Sequence, residues 1–236
     1  MVQSVDDSVG ALVTHLASQG ILENTYIFFF SDNGGLATKQ GVGPGCNLPL
    51  RASKGWLYEG GIRVPLIVRM PNRRSAGLQL STPVLSTDIY PTLLSLAGLP
   101  LRPEQHVDGQ SFVGLLNGTV KDSEPRTLYW HYPHYHGSMW TPGAALRKGD
   151  WKLIQYDVLN GRVRKTQLFH LRDNPNELLE QHAHIAHGRP LGLEPVDREP
   201  VERGAGSGET GPLTDWCSST EANDWGASTG DVCDLV

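Results

Sequence analysis

Two neighbouring side chains in the stretch "FFFSDNGG" offer oxygen donors, the carboxylate of Asp32 and the amide of Asn33. Such a pair suits a hard cation, Ca2+ or Mg2+. Asp-Asn-Gly-Gly also makes an ordinary turn, so what favours a metal is the apolar run directly before it. Lys54 lies 22 residues further on, in "RASKGWLYEGGIRVP". Small neighbours let a backbone approach a ligand closely there, and the ammonium is a compact point charge for an anion; the alternative is a solvated loop lysine. Glu59 and Arg63, four apart, read as a local ion pair or as loop anchors. The stretch "YWHYPHYHGSMW" sets His131, His134 and His136 among Tyr129, Trp130, Tyr132, Tyr135 and Trp140. That spacing is not a zinc pattern. The mixture suits stacking and hydrogen bonding to a polar ring such as a sugar, and equally a hairpin packed on a main domain.

These residues need elements to position them. Val5, Val9, Leu12, Val13 and Leu16 recur at helical spacing and Gly20 stands where a left-handed cap belongs, which predicts a helix over about residues 3–19. "NTYIFFF" reads as a buried parallel strand of an open α/β sheet, whose ligands lie past the strand's carboxyl end. A long Gly- and Pro-rich loop follows, and loops of that length are usually functional or mobile. "RVPLIVRM" predicts a second core strand, so Tyr26–Phe30 and Val64–Arg69 are expected to be neighbours. In "STDIYPTLLSLAG", Ser86, Thr87 and Asp88 are cap candidates, Pro91 fits a first turn and Gly98 a stop. From Arg126 the pattern changes to short strands with a Lys-Gly-Asp turn, an antiparallel subdomain. The expected division is 1–122, 123–180, and a tail over 181–236.

Composition narrows the partners. The 236 residues carry a formal charge of -5, which gives no reason to expect nucleic acid. Gly188–Val236 holds three arginines against ten acids, so the residues before it are slightly basic. That tail has almost no apolar periodicity, and its composition predicts no stable packing. The longest apolar run is far short of the roughly 20 residues of a membrane helix. No signal peptide opens the chain. Cys46, Cys217 and Cys233 are too few for a disulfide framework, and the odd number leaves one over. The compartment stays open.

"SDNGG", "NLPLRASKGWLYEGGIRVP", "STDIYPTLLSLAGLP", a later "DGQS" and "ALRKGDWKLI" follow one another in the order seen in type I sulfatases. Residues 1–179 resemble this arylsulfatase A-like branch of the alkaline phosphatase superfamily. The resemblance implies the second half of an alkaline-phosphatase-like α/β sandwich, a central mixed sheet with flanking helices, plus a small C-terminal antiparallel β subdomain. It also implies a sulfuric ester hydrolase that uses a formylglycine, made from the Cys or Ser of a C/S-x-P-x-R motif, beside one Ca2+ or Mg2+. Asp32 and Asn33 then match the second pair of metal ligands, and Lys54 the lysine on a sulfate oxygen. The implied partner is a sulfate ester such as a sulfated carbohydrate, with His131, His134 and His136 as candidate substrate contacts. Two-zinc phosphatases of the superfamily typically carry His after this Asp. Imidazole suits zinc and an amide oxygen suits a hard cation, so Asn33 favours a single-metal site.

One departure is large. No C-x-P-x-R or S-x-P-x-R string occurs in the 236 residues; "CNLPLR" from Cys46 has one residue too many, and "SEPRT" at Ser123 lacks the final arginine. The first Asp pair of the family's metal site is unmatched too, since Asp6 and Asp7 fall within the predicted helix. The expectation is a carboxyl-terminal fragment, inactive alone, with the formylglycine in an upstream half. "RDNPNELLEQ" begins as the family's closing "DPxE"-like turn does. The alternatives are a phosphodiesterase or phosphonate hydrolase of the same superfamily, and a non-catalytic module that binds sulfated glycans.

Overall fold

A computed structural model describes residues 2–37, 45–71, 76–120, 126–156, 163, 165–180 and 233–235. In chain order the regular elements are α1 (Val2–Ser18), β1 (Ile27–Phe30), α2 (Glu59–Ile62), β2 (Leu66–Arg69), β3 (Gln79–Leu80), α3 (Ile89–Leu96), α4 (Val113–Leu116), β4 (Thr127–Tyr132), β5 (Gly143–Lys148), β6 (Trp151–Tyr156), β7 (Lys165–His170) and β8 (Cys233–Leu235). The chain forms two compact units. One comprises the described residues of Met1–Asn33, Arg63–Pro125 and Gly226–Val236; the other comprises those of Gly34–Ile62 and Arg126–Trp225.

The first unit is the α/β part. Its sheet runs β1-β2-β8-β3, with β2 antiparallel to both β1 and β8, and β8 parallel to β3. The expected mixed sheet is there, and β1 and β2 are neighbours in the register Phe28↔Val68 and Phe30↔Leu66. Two expectations need correction. β1 runs antiparallel to its neighbour, and among the described residues it lies at one end of the four-strand order, with Phe29 40% and Phe30 42% exposed. An all-apolar run carries no alternation, so it cannot tell an edge strand from a buried one. Phe28 alone reaches the core, edge-on to Phe112 at 6.5 Å. Leu66, Val68 and Met70 form that core with Phe112, Leu115 and Leu116. The second correction concerns the tail: Cys233–Leu235, expected to be without packing, pair with Leu66–Val68. The rest of 181–236 lies outside the described residues.

Glycine ends α1, α3 and α4 in the same way. Gly20 (φ 68), Gly98 (φ 67) and Gly118 (φ 67) are left-handed. Each donates its N–H back within the last turn while the next residue reaches one turn further, as in Ile21 N to Leu16 O at 3.1 Å. That is the Schellman arrangement. Asp88 links the "STD" and "DGQS" motifs: Oδ2 accepts the Leu85 N–H at 2.7 Å and Oδ1 the Gln110 N–H at 2.8 Å. Gly109 is confined to glycine there, because a Cβ would stand 2.2 Å from the Thr87 carbonyl oxygen.

The second unit is the antiparallel meander β4-β5-β6-β7. Lys148 pairs with Trp151 across a two-residue turn led by Gly149 at φ 57. Leu57, Tyr58, Trp140, Ala145, Ile154, Tyr156, Phe169 and Leu171 make its core. Gly34–Ile62 groups with this sheet, whereas residues 1–122 were expected to stay together. Leu57 and Tyr58 tie it to the apolar core, and a set of buried charges ties it further. Lys152 points inward and places its Nζ 2.8 Å from Glu59 Oε1 and 2.9 Å from Glu177 Oε1, with all three side chains at most 1% exposed. Arg147 stands 3.5 Å from the other Glu59 oxygen. Arg63, the partner that spacing suggested for Glu59, is not in this cluster. Alongside, the Tyr156 hydroxyl donates to Tyr58 and the Tyr58 hydroxyl to Gln167 Oε1, each at 2.5 Å.

Removing one member of a buried ion group strands the others, at about 3–5 kcal/mol. Lys152→Ala is therefore expected to lower the urea unfolding free energy by about that amount, and the triple change Lys152→Met, Glu59→Gln, Glu177→Gln to recover most of it. A second expectation concerns alkaline pH. Burial lifts the phenols of Tyr58 and Tyr156 above the ordinary tyrosine range, Tyr156 the more strongly. The folded chain then holds these protons more tightly than the unfolded chain, so stability falls as pH rises through about 10. Denaturant midpoints between about pH 9 and about pH 11 should fall less steeply in Tyr156→Phe.

Candidate functional site

Asp32 and Asn33 follow β1 directly and belong to the first unit. The Asp32 side chain is exposed, and the Ser31 hydroxyl donates to the Asn33 carbonyl at 2.8 Å, which tightens the turn. The strand delivers both residues at its carboxyl end, as its sequence predicted. Their free donors are oxygens only, a set that fits a hard cation and supplies two of the roughly six to eight ligands Ca2+ takes. Among the described residues no three His, Cys, Asp or Glu gather in one place.

Lys54 belongs to the second unit, on the turn that runs from Arg51 to α2. Its backbone N–H donates to Gly35 O at 3.2 Å. Asn47 ties the same passes of chain together, its Nδ2 donating to Gly35 O at 2.8 Å and to Ala52 O at 3.1 Å. Close approach makes the glycines necessary: a Cβ on Gly34 would lie 1.9 Å from Gly60 O, and one on Gly61 2.1 Å from Trp56 O. Ala52 is left-handed at φ 63 and Gly55 at φ 87. The outcome is a compact turn with Ser53 buried and the Lys54 side chain exposed to solvent. Cys46, at its approach, is held in a disulfide bond.

His136 is the histidine that meets this turn. Its ring packs against Gly55, so that a Cβ there would stand 2.1 Å from Nδ1. Nδ1 accepts the Ser138 N–H at 3.1 Å, which leaves the proton of the neutral ring on Nε2 as a free donor. Trp56 stacks on Tyr58 and meets Trp140 edge-on, each at 5.7 Å, and Trp140 stacks on Tyr132 at 6.2 Å. An aromatic layer thus joins the Lys54 turn to the His136–Trp140 turn. His134 touches this layer only at the edge of Tyr132, at 6.2 Å. His131 alternates with Trp130 and Tyr132 along β4 and faces the opposite side, exposed. The three histidines are therefore not one cluster.

Sequence reasoning missed Arg51, Lys152 and Glu177. Arg51 Nη1 donates to Glu177 O at 2.7 Å, and its guanidinium lies 4.0 Å over the Tyr58 ring. Lys152 had a signal: in the alternation of β6 it shares a face with Ile154 and Tyr156, the buried phase. Glu177 had only its place in the "NPNE" turn.

Comparison with known proteins accounts for most of the chain. Residues 52–187 match the family described as N-sulphoglucosamine sulphohydrolase, C-terminal, and residues 1–99 the family described as Sulfatase. A sulfatase of Formosa agariphila is 39% identical over 147 residues, covering 57% of this chain and 26% of its own length. Human arylsulfatase A is 38% identical over 153 residues, 64% of this chain and 29% of that protein. Among solved structures, BT4656 with its substrate D-glucosamine-2-N,6-O-disulfate aligns with a TM-score of 0.64 and 27% identity over 78% of this chain and 35% of that one. Ps i-CgsB with k-i-k-neocarrahexaose aligns with a TM-score of 0.61 and 33% identity, covering 77% and 37%. The chain thus spans about a quarter to a third of the length of these curated relatives. Two family matches that together run from residue 1 to residue 187, and solved sulfatase neighbours over three quarters of the chain, place this protein in the sulfatase family, with an alkaline-phosphatase-like fold.

Proposed function

We propose that these residues form part of a sulfuric ester hydrolase in which Asp32 and Asn33 hold one divalent cation and Lys54 binds a sulfate oxygen. The observation that carries this is the Lys54 turn: an exposed ammonium on a backbone fixed at Gly35, Asn47 and Ala52, within a chain of the sulfatase family. A fixed positive charge beside the ester stabilises the negative charge that shifts onto oxygen during S–O cleavage. The family implies a divalent metal, and an oxygen-only pair favours Ca2+ or Mg2+ over zinc. The formylglycine has no precursor motif in these 236 residues, so the nucleophile would come from residues outside them.

The substrate class proposed is a sulfated carbohydrate. BT4656 was solved with its substrate D-glucosamine-2-N,6-O-disulfate and Ps i-CgsB with k-i-k-neocarrahexaose, which supports a sugar ring beside the ester. His136, with Nε2–H free next to the Lys54 turn, is the best placed of the three histidines to donate to a ring hydroxyl; His134 and His131 are less well placed.

Hydrolysis of 4-nitrophenyl sulfate tests the assignment. The 236-residue chain by itself is expected to show no multiple turnover, with or without Ca2+. In a polypeptide that also carries the C/S-x-P-x-R segment, Asp32→Ala should abolish turnover. Lys54→Ala should lower kcat by on the order of 10² without loss of folding. Metal-dependent turnover by the 236 residues, or unchanged kinetics in Lys54→Ala, would sink it. For His136, Gly55→Ala should cost about 1–2 kcal/mol from the left-handed backbone and push the ring off its perch. A changed 15N shift at His136 Nδ1, reporting loss of the Ser138 bond, is the measurement that checks it.

A further inference from the structure

Lys54 stands on a turn without regular secondary structure, three residues after Arg51 and five before Glu59. We infer that Glu177 is a positioning residue for Lys54, gripping the chain on both sides of that lysine and so fixing where its ammonium stands. The inference rests on the assignment of Lys54 to sulfate made above. On the near side, Arg51 Nη1 donates to the Glu177 main-chain carbonyl at 2.7 Å. Its guanidinium cannot swing freely, since it lies over the Tyr58 ring. On the far side, the Glu59 backbone N–H donates to Glu177 Oε2 at 2.6 Å, while Oε1 faces Lys152. One residue therefore offers its carbonyl to one end of the turn and its carboxylate to the other.

Such a double presentation needs an unusual backbone. Glu177 has φ 51, the left-handed region that a residue with a Cβ enters at a cost. Strain of this kind persists only where the surroundings impose it. Here Asn174, itself buried, does so: its Oδ1 accepts the N–H of Leu178 at 3.1 Å and its Nδ2 donates to Leu179 O at 2.7 Å. A carboxylate that merely balanced Lys152 would need neither the left-handed backbone nor the contact to Arg51. Between the two grips the turn is closed on itself by Gly60 N–H to Arg51 O at 2.8 Å and Trp56 N–H to Ser53 O at 3.1 Å. Lys54 is the one exposed cation in the segment so held, because Arg51 at its start is partly covered.

Amide hydrogen exchange on the 236-residue chain, combined with 15N detection of the Lys54 ammonium during a sodium sulfate titration, tests this. The variants are Glu177→Ala and the milder Arg51→Ala, which removes only the near grip and stays informative if the first fails to fold. In Arg51→Ala the Lys54 amide should exchange at least about tenfold faster while the amides of Ile154 and Phe169 keep their protection; in Glu177→Ala, which also strands Lys152, the Lys54 amide should speed up by at least about tenfold more than those two core amides. The response of the Lys54 ammonium to sulfate should weaken several-fold. Glu177→Gln keeps an oxygen for the Glu59 N–H and should restore slow exchange at Lys54. Unchanged exchange at Lys54 in the folded variants overturns the clamp. Faster exchange with an undiminished sulfate response overturns the positioning of Lys54. If the unsubstituted chain shows no sulfate response while the exchange pattern is as expected, the clamp stands and the sulfate role of Lys54 falls.

Discussion

Lys152, wholly buried and flanked by the carboxylates of Glu59 and Glu177, is the constraint on which the second unit depends. Taking three charges out of water costs several kcal/mol per ion, and only close geometry offsets it. The geometry is close on every side: Arg147 approaches the second Glu59 oxygen and the Glu59 N–H fills the second Glu177 oxygen. Burial still pushes the Glu177 carboxyl up, against the pull of Lys152. The group is specific in a way apolar packing is not. A leucine at 152 could contact many neighbours, but an ammonium there accepts only an arrangement in which both carboxylates arrive together, one from the Gly34–Ile62 segment and one from the turn after β7.

Much of this protein was legible in its sequence where a local rule was in force. Glycines 20 and 98 end helical segments because the left-handed cap excludes most other residues, and the Lys-Gly-Asp turn between β5 and β6 follows from hairpin geometry. The ordered motifs of the family were legible as well. What could not be read was long-range. Glu59 looked like a partner for Arg63 because they are four apart, and nothing local points to Lys152, 93 residues away. The phenylalanine run hid its own edge position, since uniform hydrophobicity has no phase. The histidines looked alike on paper; only the pleat of β4 and the perch on Gly55 separate His131 from His136.

Backbone strain is distributed unevenly. Among the described residues, the non-glycine residues with left-handed φ are Ala52, Met139 and Glu177, and all three belong to the unit that carries Lys54. Ala52 lies two residues before Lys54, Met139 closes the turn that carries His136, and Glu177 holds the Lys54 turn from outside. Residues in this region persist because their neighbours over-determine them, and they cluster where an exact placement matters more than local comfort. In this chain the placement in question is that of a lysine and an imidazole on adjoining turns.

The sequence separations in this network bear on how the chain reaches its fold. The meander closes by successive hairpins, contacts that form early because little chain entropy opposes them. Glu59 and Glu177, by contrast, are 118 residues apart. Their meeting requires both the finished sheet, which holds Lys152, and the turn after β7. The segment with Lys54 is therefore the late-docking piece of its unit, and the turn that carries this lysine stays unplaced until the residues near 177 have been synthesised and folded.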